Sequence, residues 1–156
     1  MIDVFISRPS WIPYSLQKGI DNFYDNLNLI QLNPRTIGQS DFPNGSPLDE
    51  IIKLMKNCKG TIVLGIPQIE MKSGSVKGQT IRDSISLATE WNHIEMALAY
   101  SMKHQILIIH DKGVQRGIFD KGTCNVFLYE VDMKNSDWAN SFSIKGAMDG
   151  WASRLL

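Results

Sequence analysis

The chain has 156 residues, and its sixteen basic side chains balance sixteen acidic ones. This length predicts one domain with a substantial core, and zero net charge gives no electrostatic preference for nucleic acid or a membrane surface. Two cysteines without CxxC spacing exclude a disulfide framework, and no apolar run is long enough to span a bilayer. We therefore expect a cytoplasmic protein that acts on a small molecule.

Apolar runs and helical patterns alternate along the first half of the chain. The predicted order is a strand over 2–6, a helix over 14–26, a strand over 29–32, a loop over 33–46, a helix over 47–58 and a strand over 61–66. Pro47, Asp49 and Glu50 in the first turn are typical of a helix start. The nearly continuous apolar run over 61–66 indicates a central parallel strand covered on both faces.

The second half begins with a long polar segment over 67–82, which predicts a lid, a binding loop or a disordered loop. A helix from residue 90, a strand over 105–109, an irregular segment over 110–123, a strand over 126–131 and a helix over 138–155 follow. This alternation predicts a doubly wound, five-stranded parallel sheet with helices on both faces. The expected fold class is α/β and flavodoxin-like, with residues 1–156 forming a single domain.

Ligands of such folds bind outside the carboxyl ends of the strands. The residues expected at this edge are Ser7, Arg8, Pro9, Ser10, Asn33, Arg35, Gly65, His110 and Asp111. Arg8 is a candidate for phosphate binding because a guanidinium group binds oxyanions in a bidentate manner. A surface ion pair with an acidic residue is its alternative role.

Glu95 interrupts an apolar pattern in the helix that follows the third predicted strand. Leu87, Trp91, Ile94, Leu98 and Met102 recur at helical spacing and predict the core-facing stripe. Glu95 then lies at the edge of this stripe, whereas Asn92 and His93 lie on the more exposed side. A carboxylate at such an edge has to be paired, solvated through a cleft or shifted in pKa.

Two roles for Glu95 follow from this position. It forms a structural ion pair with Arg8, Arg35 or Arg82, or it is a catalytic carboxylate. Its helix follows a strand whose carboxyl end lies at the ligand-binding edge, and this favours the catalytic role.

Several segments resemble TIR domains. Asp3-Val4-Phe5-Ile6-Ser7 is similar to the opening strand of that family, and the loop 41–45 with the following helix and strand resembles its second conserved block. Trp91 and Glu95 resemble the tryptophan and glutamate of the TIR "S-x-W-C-x-x-E" segment, with Asn92 standing where the family has cysteine. The resemblance covers about residues 2–110.

This resemblance implies a TIR-like enzyme that cleaves NAD between nicotinamide and ribose, with Glu95 as the catalytic residue. NAD is then a substrate and no cofactor is expected; the product is an ADP-ribose compound that acts as a signal. The ligand-binding residues that we expect are Phe5, Ser7, Arg8, Pro9, Ser10, Arg35, Asp41, Gly65, Trp91 and Asn92. The resemblance also implies a homo-oligomer, with another protein of a signalling system as a further partner.

A second resemblance concerns the helix alone. Ile94-Glu95-Met96-Ala97-Leu98-Ala99-Tyr100 is similar to the "F-E-x-G-x-A-x-A" helix of nucleoside 2-deoxyribosyltransferases, whose glutamate attacks the anomeric carbon of a deoxynucleoside. The aspartate that this family carries six residues earlier falls on Thr89 here. Both resemblances imply cleavage of an N-glycosidic bond at Glu95, and they differ in substrate.

A third alternative is a TIR-like module without enzymatic activity that binds a nucleotide or assembles with partners. The three histidines and two cysteines show no ligand spacing for zinc, so no metal site is expected. There is also no glycine-rich phosphate loop.

Overall fold

The computed structural model of the protein describes all residues from 1 to 156. Its strands are β1 (Ile2–Ser7), β2 (Leu32–Arg35), β3 (Gly60–Gly65), β4 (Ile69–Met71), β5 (Ser75–Val76), β6 (Gln79–Thr80), β7 (Ile85–Leu87), β8 (Gln105–Asp111) and β9 (Phe127–Val131). Five of them form one parallel sheet in the order β2-β1-β3-β8-β9. The predicted flavodoxin-like α/β class is confirmed.

Four α-helices cover this sheet. They are α1 (Tyr14–Leu29), α2 (Pro47–Lys56), α3 (Glu90–Ser101) and α4 (Phe142–Ala152), and short 3-10 helices lie at Gly117–Phe119 and Trp138–Asn140. None of these helices combines the length and the apolar character that crossing a membrane requires.

The sheet separates two hydrophobic clusters. Val4 and Ile6 of β1 belong to the cluster formed with α1 and α4, whereas Phe5 belongs to the cluster formed with α2 and α3. Because side chains alternate between the two faces of a strand, Ser7 at the end of β1 lies on the same face as Phe5. The end of β1 therefore presents a hydroxyl group toward α3.

The second strand of the sheet lies later in the chain than the predicted 29–32. The helix α1 continues through Leu29, and Gln31 then takes a left-handed conformation with φ of 61°, so β2 begins at Leu32. β2 pairs only with β1 and is an edge strand, where Pro34 removes no hydrogen bond that the sheet needs.

The segment that was expected to be a loop over 67–82 contains small antiparallel sheets. β4 pairs with β7, and β5 pairs with β6. The two residues between β5 and β6 are Lys77 and Gly78, with φ of 51° and 77°. Positive φ at both positions is the requirement of a tight two-residue hairpin, which explains why these two short strands pair.

The boundaries near the carboxyl terminus also differ from the prediction. β8 extends to Asp111, and the last helix begins at Phe142 instead of residue 138. The hydroxyl oxygen of Ser141 accepts a hydrogen bond from the Ile144 amide across 3.4 Å, which is the capping contact that starts α4.

Candidate active site

The buried face of α3 is polar at its start and apolar at its end. Asn92, Glu95, Met96 and Ala99 are the buried residues of the helix. Trp91 and Ile94 are 41% and 42% exposed. The predicted core stripe is therefore wrong at Trp91 and Ile94, whereas Leu98 and Met102 do pack against the core. The exposed position expected for Asn92 is also wrong.

The sequence of α3 does not determine which face is buried. Apolar residues occur on all sides of the helix, so the spacing of its apolar residues does not indicate which side faces the sheet. The packing selects the face on which small Ala99 and flexible Met96 fit against the sheet, in the cluster that contains Phe5. This choice places Asn92 and Glu95 against the end of β1.

Glu95 is a buried carboxylate without a cationic partner. Its residue is 7% exposed. The ion pairs of the molecule are Arg35–Asp3, Arg35–Asp41 and Lys112–Asp132, so the structural pairing of Glu95 with an arginine does not occur. Burial raises the pKa of Glu95 to about 7, and a side-chain hydrogen bond from Ser7 opposes this shift. Near neutral pH the carboxyl group is thus divided between its acidic and basic forms.

Asn92 fixes the orientation of the Ser7 hydroxyl. The amide nitrogen Nδ2 of Asn92 donates to Ser7 Oγ across 2.8 Å and to the Ser7 carbonyl oxygen across 3.2 Å. A backbone carbonyl only accepts hydrogen bonds, so this second contact identifies the amide edge that faces Ser7 as the NH₂ group. Because Ser7 Oγ accepts from Asn92, its own proton is free to be donated to Glu95.

The other edge of the Asn92 amide has no protein partner. Oδ1 of Asn92 is buried and accepts no hydrogen bond. A buried polar atom without a partner costs roughly 1–3 kcal/mol. The residue is fully buried, so this oxygen is an unsatisfied acceptor one helical turn from Glu95.

The loop after β1 also carries a cation. Nε of Arg8 donates to the Pro9 carbonyl across 3.1 Å, and the guanidinium lies 5.8 Å from the centre of the Tyr24 ring. These contacts leave its terminal NH₂ groups without an acceptor in the protein. Pro9 is buried and Ser10 is exposed in the same loop. Arg8 is therefore held near the carboxyl end of β1 with donors available for an anion.

Arg35 and Asp41 lie in a different environment. Arg35 donates to Asp3 across 2.6 Å and also pairs with Asp41, which holds the pKa of Asp41 below its usual range. Asp3 precedes Ser7 by four residues, which corresponds to roughly 13 Å along a strand. The guanidinium of Arg35 is therefore directed away from Glu95, and the structure does not bring these two predicted ligand-binding residues together with Glu95.

Gly65 at the end of β3 is required by packing. A Cβ atom at this position would lie 2.6 Å from His110 Cβ and 2.6 Å from the Phe119 ring. The rings of His93 and His110 each lie 5.6 Å from the Phe119 ring. This aromatic cluster brings the 3-10 helix 117–119 onto the first turn of α3. Sequence reasoning missed Phe119, because it lies in the segment 110–123, which shows no regular pattern.

The remaining predicted edge residues have structural roles. The Asp111 carboxylate accepts from the backbone amides of Met133 and Gly113 across 2.9 and 3.0 Å, and His110 Nδ1 bonds the Asp111 carbonyl oxygen. Asn33 donates to Asp3 across 2.6 Å. These groups shape the turns after β8 and β2. No group of three or more His, Cys, Asp or Glu residues lies close enough together to hold a metal ion.

A polar cavity of about 340 Å³ opens at the carboxyl edge of the sheet. Its walls are Pro13, Ser15, Leu16, Pro67, Glu70, Ser84, Ser86, Asp111, Lys112, Gly113, Asp132 and Lys134. Neither Glu95 nor Ser7 lines this cavity or any of the other main cavities. In this structure Glu95 is therefore nearly enclosed by the protein.

A comparison with solved structures finds a similar fold in an enzyme. The fold matches that of the CMP N-glycosidase BcmB of Clostridium botulinum with a TM-score of 0.56 and 12% sequence identity, over 96% of this chain and 98% of that chain. At this identity the likeness establishes a shared fold. No protein-family model and no curated protein sequence matches the chain.

Proposed function

We propose that the protein cleaves the N-glycosidic bond of a nucleoside 5′-monophosphate, with Glu95 as the catalytic carboxylate. The observation that carries the proposal is a buried carboxylate without a cationic partner, which lies beside Ser7 at the carboxyl end of a central strand. Support for the substrate class comes from the shared fold with a CMP N-glycosidase. This reaction is the chemistry expected of Glu95 from the nucleoside 2-deoxyribosyltransferase-like helix sequence.

In the proposed reaction the ionised Glu95 carboxylate attacks the anomeric carbon of the sugar. The bond to the nucleobase breaks, the base leaves with the bonding electron pair and takes up a proton, and a glycosyl ester forms on Glu95. Water then hydrolyses this ester, which releases the sugar phosphate and restores the carboxylate. The hydrogen bond from Ser7 favours the ionised form that attack requires.

Two neighbouring groups fit the rest of such a substrate. Asn92 Oδ1 is a buried acceptor for a ribose hydroxyl, because no protein group occupies it. The free terminal NH₂ groups of Arg8 are suited to the 5′-phosphate, since guanidinium binds phosphate oxygens in a bidentate manner. Together these contacts would hold the anomeric carbon near Glu95.

NAD is the second candidate substrate. The TIR-like segments 3–7 and 41–45, with Trp91 and Glu95, favour it, and NAD contains the same type of N-glycosidic bond. Its nicotinamide is a cationic leaving group that needs no proton, so a single carboxylate is sufficient. NAD and the monophosphates differ in the base that is released.

The test is a comparison of CMP, AMP, dCMP and NAD as substrates of the purified protein, with the released base followed by chromatography. Glu95→Gln preserves size and removes the charge, and we expect a loss of at least about 10³-fold in turnover. Glu90→Gln is the matched control, because Glu90 is an exposed glutamate in the first turn of the same helix. It should retain the activity of the unmodified protein.

The outcomes separate the alternatives. Release of cytosine or adenine supports the monophosphate reaction, and release of nicotinamide alone supports the NAD reaction. Turnover should rise with pH through about 7, because the nucleophile is the ionised form of Glu95. Nucleotide binding without turnover, or equal activity of Glu95→Gln, would contradict the enzymatic proposal and favour a binding module.

A further inference from the structure

A large cavity lies at the opposite end of the sheet from Glu95. It has a volume of about 580 Å³ and is lined by Tyr100, Lys103, His104, Gln105, Ile106, Asn125, Val126, Phe127 and Arg154. Gln105 and Phe127 are near the amino ends of β8 and β9, whereas ligand sites of open α/β sheets are expected at the carboxyl ends. The proposed glycosidase activity therefore leaves this cavity unused.

The walls carry positive charge that no acidic residue balances. Lys103 and Arg154 line the cavity, no aspartate or glutamate does, and neither cation takes part in an ion pair. The guanidinium of Arg154 lies 4.4 Å above the centre of the Phe127 ring. The ring holds the guanidinium without using its N–H donors, and these donors have no acceptor in the protein, so they are available to a bound anion.

The last carbonyl groups of the helix beside the cavity are capped, which reduces their repulsion of an anion. The carbonyl oxygens of Leu98, Tyr100 and Ala99 near the end of α3 accept hydrogen bonds from the amides of Met102, Lys103 and His104. These bonds satisfy carbonyl groups that would otherwise concentrate negative charge at a helix terminus.

The other walls are suited to a planar group. Tyr100 is 61% exposed and offers a ring face for stacking. The amide side chains of Gln105 and Asn125 are exposed in the same cavity and can both donate and accept hydrogen bonds. The volume lies within the range of about 300–1,000 Å³ that is typical of small-molecule sites.

We propose that this cavity is a second nucleotide site, in which Lys103 and Arg154 bind the phosphate of a nucleoside monophosphate and Tyr100 stacks on its base. The site shares no residue with the one around Glu95, so this proposal does not rest on the glycosidase activity. Because it lies at the opposite end of the sheet, a nucleotide bound here is not positioned for cleavage at Glu95.

The three histidines provide a test that locates the bound nucleotide. His104 lines this cavity, whereas His93 and His110 pack around Phe119 at the other end of the sheet. We would titrate 5′-AMP, adenosine and inorganic phosphate into Glu95→Gln protein, which prevents turnover, and record calorimetry and the histidine ring resonances. We expect AMP to bind more tightly than adenosine or phosphate and to shift His104.

Substitution by glutamine keeps most of the apolar part of each side chain and removes the charge, so it tests the two cations. Arg154→Gln and Lys103→Gln should each weaken AMP binding by roughly tenfold or more, whereas Lys59→Gln should not. Lys59 is the matched control, because it is exposed at the same end of the sheet and does not line the cavity. AMP binding that shifts only His93 and His110, binding equal to that of phosphate, or no effect of Arg154→Gln would overturn the proposal.

Discussion

Asn92 Nδ2 donates to Ser7 Oγ across 2.8 Å and so connects the first turn of α3 to the last residue of β1. The same nitrogen contacts the Ser7 carbonyl oxygen across 3.2 Å, which fixes the orientation of the amide. The Ser7 proton is then left for Glu95. We therefore expect Asn92, which carries no charge, to influence the pKa of Glu95 through the Ser7 hydroxyl.

The Ser7 hydroxyl should hold the pKa of Glu95 below the value that burial alone would give. Ser7→Ala removes the donor, so we expect the pKa of Glu95 to rise above about 7 and the rising limb of the pH–rate profile to move to higher pH. The pKa is measured from the side-chain carboxyl ¹³C resonance during a pH titration. Ser10→Ala, an exposed serine of the adjoining loop, is the control.

Asn92→Asp tests the same group of contacts, between Asn92, Ser7 and Glu95, at the Asn92 side. The substitution replaces the NH₂ donor by an acceptor that competes with Glu95 for the Ser7 proton and adds a nearby negative charge. Both effects should raise the pKa of Glu95, and the change should be smaller when Ser7→Ala is already present. An unchanged Glu95 resonance in Asn92→Asp would show that the amide has no influence on the carboxyl group.

The raised pKa of Glu95 also makes folding stability depend on pH. The folded value is about 7 and the ordinary value is 4.5, so the folded protein binds the proton more tightly than the unfolded chain. The associated stability is complete below about pH 4.5 and is lost as the pH rises through 7. The loss is on the order of 3 kcal/mol.

Glu95→Gln provides the measurement of this dependence. The amide does not titrate, so the difference in unfolding free energy between the two proteins, from urea denaturation, should change in favour of Glu95→Gln between pH 5 and 8. Taking the difference removes the contributions of the histidines and of other carboxyl groups. A difference that stays constant over this range would mean that Glu95 is not shifted.

Gly65 should not tolerate even one added methyl group. In Gly65→Ala the new Cβ would lie 2.6 Å from both His110 Cβ and the Phe119 ring, and such overpacking costs about 1–3 kcal/mol. Gly146→Ala is the matched control within α4, because no atom lies within 4 Å of its Cβ position. Thermal unfolding should show a lower Tm for Gly65→Ala and a slightly higher one for Gly146→Ala, by helix propensity. Equal Tm values would argue against the close packing of Phe119.

Arg35 should contribute to stability and not to catalysis. Arg35→Ala removes the pairs with Asp3 and Asp41, which are partly exposed, so we expect a cost of about 1 kcal/mol and no change in kcat or KM. Because the pKa of Asp41 is lowered by this contact, the effect should be present near neutral pH and diminish as acid protonates the carboxyl group. Lys53→Ala is an exposed control on the same side. A tenfold rise in KM would instead identify Arg35 as a ligand-binding residue.

The order of strands and helices was accessible from local patterns. Continuous apolar runs such as 61–66 depend on burial, and the helix start at Pro47 depends on short-range geometry. Both can be read directly from the sequence. The alternation of strands and helices then leaves few topologies, and the parallel sheet with its ligand-binding edge follows from chain connectivity. The short strands after Pro67 were missed because their pairing depends on a single tight turn at Lys77 and Gly78.

In the sequence, Glu95 is an acidic residue within an apolar helical pattern. Its residue type and its predicted position near the ligand-binding edge of the sheet made it a candidate catalytic residue. Only the tertiary structure decided that this carboxylate is buried and unpaired and that Asn92 and Ser7 are its neighbours. The reason is physical: apolar residues surround α3, so its own pattern does not select a face, and packing against the sheet makes that selection. Hydrogen bonds between residues 85 positions apart exist only once the strand and the helix are brought together.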